Sequence, residues 1–146
     1  MNISKEEKIF KAACAWSKLN FILDENLKTH PDLIVTAPVC KSFLCELLLK
    51  ALISSENHDF GKQHSLENLF LQLNGKTQNL IKTETIKHLK EIGIEITNEQ
   101  FSINLKLNGN TFENWRYYYE DNQFVNMDFI NSLYKALANY SNSKFN

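Results

Sequence analysis

The sequence predicts an all-α protein, an up-and-down bundle of five to seven helices, and three observations carry that prediction. Apolar residues recur at three- and four-residue spacing through most of the 146-residue chain. Ser or Thr followed three residues later by Glu or Gln opens two of the apolar-periodic stretches. All four glycines, Gly61, Gly75, Gly93 and Gly109, fall where a helical reading requires a break.

In chain order, Ser4 with Glu7 forms a capping box, and Ile9, Ala13, Trp16, Leu19, Leu23 and Leu27 mark a long first helix that ends before His30-Pro31. Pro38 suits the first turn of a second helix. There Val39, Phe43, Leu47 and Ala51 form one stripe and Leu44, Leu48 and Leu52 widen it, so nearly every side is apolar. Such a helix belongs at the centre of a bundle or at a subunit interface. The polar stretch 54–64 reads as a loop. Ser65 caps a short third helix carrying Leu66, Leu69, Phe70 and Leu73, which stops at Asn74-Gly75. A fourth helix presents Ile81, Thr85, Leu89 and Ile92 and ends at Gly93.

Residues 94–107 satisfy two periods. Ile94, Ile96, Phe101, Ile103, Leu105 and Leu107 alternate as in a half-buried strand, yet Thr97 with Gln100 makes a second capping box and Phe101–Leu105 is one helical turn. The helical reading is preferred. Residues 108–125 form a connection to a last helix starting near Asn126, with Phe129, Ile130, Leu133, Ala136 and Leu137 inward, and the tail from Ser141 is expected to fray. No repeat, linker or low-complexity tract divides the chain, so residues 1–146 read as a single domain.

Sixteen basic against seventeen acidic residues leave a net charge of −1, so no overall field directs the protein to nucleic acid or to an anionic membrane. The N-terminus lacks a continuous apolar core, and the longest aliphatic run, Leu47 to Leu49, is far short of the about 20 residues that cross a bilayer. Cys14, Cys40 and Cys45 lack metal-ligand spacing and sit in helical patterns, as small buried residues in a reducing compartment do. The expectation is a cytoplasmic protein with no membrane partner and no cofactor.

No phosphate-binding glycine loop, nucleophile elbow, zincin motif or paired CxxC is present. His58, Asp59 and His64 share one loop without the spacing of a metal site, so solvent exposure explains His58 and loop positioning explains His64. FENWRYYYED, 112–121, holds the one arginine of a chain with fifteen lysines. Two roles suit Arg116. Glu46, on the apolar second helix and one turn from Lys50, would require a multi-donor cation if buried, and a guanidinium supplies five donors in a rigid fork. Alternatively Arg116 holds a phosphate while Trp115, Tyr117, Tyr118 and Tyr119 offer stacking surfaces for bases.

Three stretches together resemble one family. APVCKSFLCELLLKALI is similar to the second helix of HEPN-type domains, HSLENLFLQL to an H-x-L-x-x-L-F-x-x-L helix of one branch, and FENWRYYYE to that branch's F-x-x-W-R-Y-x-Y-E segment. The likeness covers roughly 37–120, in order and spacing. It implies an all-α bundle that commonly forms homodimers, in a superfamily associated with RNA cleavage, toxin–antitoxin pairs and antiphage defence. Nuclease members carry Arg and, four to six residues on, His, near a polar residue of the second helix. Arg116 matches the arginine and Glu46 the helix-two position, but Glu120, Asp121, Asn122 and Gln123 follow, and no histidine lies beyond His88.

The resemblance therefore implies a non-catalytic or degenerate binding module in bacterial stress or defence, a homodimer with an RNA or antitoxin-like protein partner. The alternatives are a metal-independent ribonuclease using Arg116 and Glu46 with Glu120, Asp121 or His64, and a scaffolding bundle that docks a protein through its WRYYY surface.

Overall fold

The computed structural model describes residues 2–115 and 125–146. Among them the chain is all-helical: α1 (Lys5–Asn26), a 3₁₀ turn (Pro31–Val35), α2 (Ala37–Ser55), α3 (Leu66–Gln72), α4 (Gly75–Glu91), α5 (Asn98–Leu107), the single turn α6 (Thr111–Asn114) and α7 (Met127–Phe145). The ambiguity over 94–107 resolves as α5. Both halves of its capping box form, with Gln100 N–H on Thr97 Oγ1 at 3.1 Å and Thr97 N–H on Gln100 Oε1 at 2.8 Å. Phe101 and Leu105, one turn apart, are buried, while Ile103 and Leu107 face outward. A strand would have placed all four on one face.

Helix α2 runs through the centre, packed by α1, α7, α3 and α6. Leu44, Cys45, Leu49, Ala51, Leu52 and Ile53 lose all solvent contact. Of the two places open to an all-apolar helix, the structure uses the bundle centre. The surface expected to serve a dimer is thus spent within the chain, which removes that argument for self-association.

The first helix differs more. Its buried residues are Phe10, Ala13 and Asn20, while Trp16 and Leu19 remain 38% and 44% exposed. The predicted stripe spans more arc than the neighbouring helices cover. Ile92, expected on the inner face of α4, is likewise exposed. The tail does not fray among the described residues: α7 continues to Phe145, whose ring stacks on Phe10 with centroids 4.8 Å apart. Asn74 is not only an ending, since its side chain accepts from Thr77 N–H at 2.8 Å and caps α4.

Two of the three cysteines are buried as expected; Cys14 is exposed. Burial pushes the Cys45 thiol up to about 12 and raises Cys40 as well. A thiol raised in the folded state contributes stability that is complete below its unfolded value and is lost as pH climbs from there toward the folded one. At pH 8, iodoacetamide is expected to label Cys14 rapidly and Cys40 and Cys45 only on unfolding, as read by mass spectrometry. Native labelling of Cys45 at the rate of Cys14 would contradict its burial.

Candidate functional site

Glu46 is the buried carboxylate of α2, 2% exposed. Two groups meet its Oε1: Lys50 Nζ at 2.7 Å, one turn along the same helix, and His64 Nδ1 at 2.8 Å. Glu46 and Lys50 have the i, i+4 spacing of an ordinary surface ion pair, yet the pair is buried: the Lys50 side chain is only 13% exposed. Its ammonium lies 5.2 Å from the centroid of the Phe60 ring, within cation–π range, and Lys5 of α1 lies 4.5 Å from the same ring.

His64 reaches Glu46 because the loop end before α3 is tied down. Gln63 Oε1 accepts from the N–H groups of His64 and Ser65 at 3.2 and 3.0 Å. Ser65 then caps α3 by accepting from Asn68 N–H. A carboxylate held by an ammonium group only accepts hydrogen bonds, so the proton of the His64–Glu46 contact sits on Nδ1. In the neutral ring the Nε2 lone pair is then available, on a side chain 49% exposed. Glu46 Oε2 is buried and has no hydrogen-bond partner among the described residues. Loop positioning, the modest role expected of His64, fits this geometry, which fixes the ring through its contact with Glu46.

Among the sequence-selected residues, the structure brings Glu46 and His64 together. Arg116, Tyr117, Tyr118, Tyr119, Glu120 and Asp121 lie outside the described residues, and with them the expected Arg116–Glu46 bridge. The described partners of Glu46 are Lys50 and His64. Trp115 is described, and its Nε1 donates to Val35 O at 2.7 Å. It forms a wall of an apolar groove of about 460 Å³ with Trp16, Leu19, Leu33 and Val39, beside α1. Trp16 meets the Phe43 ring edge-on, and Phe43 stacks on Phe112, joining α1, α2 and α6.

His58 does not join His64. It is exposed and donates to Gln72 O at 3.0 Å, while Asp59 Oδ1 accepts from Gly61 N–H. Among the described residues no three His, Cys, Asp or Glu side chains form a possible metal group. No described helix is long and apolar enough to cross a membrane.

Sequence reading missed two polar constructions. Glu56, at the end of α2, accepts from Asn74 N–H and Thr77 Oγ1 at 2.8 and 2.6 Å and so clamps the start of α4. Lys41 and Asn20, which sequence reading passed over on helices α2 and α1, are both buried. The partners of Glu56 and of Lys41 are many residues away, Asn74 with Thr77 and Asp24 respectively, and no local spacing announces them; Asn20 bonds Asp24 one turn along its own helix. Compared with protein-family models, curated proteins and solved structures, the chain matches none.

Proposed function

We propose that the protein is a HEPN-like, catalytically silent interaction module of bacterial stress or defence that works as a homodimer. The observation that carries this reading is the apolar groove walled by Trp115, Trp16 and the exposed Leu19 of α1. Clustered apolar surface of this kind is uncommon on a protein that acts alone, and aromatic residues at its centre suit a contact with another protein. The groove carries few polar atoms, which favours a protein contact over RNA, whose backbone requires cations. A two-fold axis beside α1 sets the same stripe against its own copy, as an isologous interface demands. The order and spacing of the three HEPN-like stretches, and the absence of a histidine after Arg116, support the family and its silence.

Light scattering at micromolar concentration is expected to give a dimeric mass. Leu19→Glu, which adds charge at a groove position already 44% exposed, should give a monomer with unchanged helicity. A monomeric mass for the wild-type chain would sink this reading.

The His64–Glu46 contact favours one other reading, a metal-independent ribonuclease. In it His64 Nε2 takes the 2′-hydroxyl proton as the 2′ oxygen attacks phosphorus, and the 5′ oxygen leaves with a proton from a second acid. Arg116 is the phosphate-binding group of that reading. Labelled single-stranded and transfer RNA in EDTA should then be cut, with at least about 100-fold loss in His64→Ala and in Arg116→Ala. Intact RNA after prolonged incubation removes this alternative.

A further inference from the structure

Helix α1 turns Phe10, Ala13 and Asn20 into the molecule, and on the same side the Ser17 hydroxyl is hydrogen-bonded to that of Tyr134 on α7. The opposite side carries Lys11, Ala15, Lys18, Ile22 and Glu25, every one of them exposed. Their steps are four, three, four and three residues, the 3.5-residue repeat that keeps one stripe of a helix against a partner helix. Around the middle of the stripe the surface is apolar: Ile22 is 57% exposed, and Leu19 and Phe21 flank it at 44% and 65%. At its ends the stripe is charged, positive at Lys11 and negative at Glu25, and neither makes an ion pair among the described residues. One half is therefore basic and small, with Ala15, and the other acidic and large, with Ile22.

We propose that two copies of this chain pair through α1 laid antiparallel, with the two-fold axis beside Lys18 and Leu19, so that Lys11 meets the partner's Glu25 and Ala15 the partner's Ile22. This rests on the homodimer reading and assigns it an orientation and a register. Lys11 and Glu25 both lie seven residues from Lys18, about 10 Å along the helix, so reversal about that point sets each on the other. The same reversal sets small Ala15 against large Ile22, as interdigitating side chains require. A parallel pair would instead place like charges together at Lys11, Lys18 and Glu25, three levels of one seam. Beside the axis, Lys18 lays its aliphatic stem on the apolar stripe and keeps its ammonium in water. An unrelated partner does not call for a stripe whose size and charge complement its own reversal, whereas an isologous contact does.

Disulfide trapping in the full chain tests the register. In a Cys14→Ser background, where the remaining Cys40 and Cys45 are buried, Lys18→Cys puts one accessible thiol beside the axis, and mild oxidation is expected to give a covalent dimer. Lys8→Cys in the same background places the two thiols roughly 30 Å apart in the antiparallel pair and should stay unlinked. Sedimentation velocity reads the charges: Glu25→Lys should weaken the dimer about tenfold, and adding Lys11→Glu should restore it to within about threefold of the wild-type chain. A monomeric wild-type chain removes this proposal together with the dimer reading. A wild-type dimer whose Lys18→Cys form stays unlinked, whose Lys8→Cys form links as readily, or whose affinity Glu25→Lys leaves unchanged would overturn the antiparallel register alone.

Discussion

Glu46→Ala is expected to destabilise the fold by about 3–5 kcal/mol, because it leaves a largely buried ammonium without its carboxylate. Lys50 Nζ is 2.7 Å from Glu46 Oε1, and the Phe60 face next to it cannot replace a full negative charge. His64 contributes less to the loss, since a half-exposed imidazole can turn to water. Replacing both members of the pair, with Glu46→Leu and Lys50→Met together, should recover most of the stability, as apolar groups of similar volume often equal a buried ion pair. Urea unfolding followed by circular dichroism gives both numbers. A cost below about 1 kcal/mol for Glu46→Ala would mean that water screens the pair as it does on a surface.

Phe101→Ala is expected to cost a comparable amount, about 3–5 kcal/mol, through the cavity it leaves. Phe101 is 1% exposed, and its ring centroid lies 5.4 Å from that of Phe70 on α3 and 5.6 Å from that of Phe129 on α7. Such tilted and edge-on pairs add to the area term. One side chain thus joins three helices, and α5 has few other anchors: Leu105 packs on the core, and Asn104 and Asn108 bond the first turn of α7 through Asn126. Phe101→Leu, which keeps most of the volume, should lose well under half as much. Chemical denaturation measures the difference, and hydrogen exchange at α5 amides shows whether that helix opens first. A change of less than about 1 kcal/mol for Phe101→Ala would place the anchor of α5 elsewhere.

How far the sequence carries depends on how local the responsible physics is. Ser4 with Glu7 and Thr97 with Gln100 are legible because a cap is made within one turn, and both boxes form as spacing predicts. The apolar breadth of α2 is legible as well and restricts it to the bundle centre or a subunit interface; the structure chose the centre. The short α6 inside the connection was not, since four residues, Thr111–Asn114, carry no periodicity. Nor was the extension of α7 to Phe145, which rests on a ring stacked against Phe10 at the other end of the chain. The candidate site was half legible. A buried carboxylate on α2 follows from its neighbours, and the residues that meet it do not.

By itself, then, the sequence determined the helical class, the approximate ends of the main helices and the need of Glu46 for a cation. Only the tertiary structure decided that Lys50 and His64 meet that need, that α1 turns Trp16 and Leu19 outward, and that Lys41, Asp24 and Asn20 face a common cavity. The reason is physical. Caps and amphipathic periods arise from the 3.6-residue geometry of one helix and its own hydrogen bonds, whereas the partner of a buried polar group depends on how separate helices cross and rotate, which their summed packing alone sets.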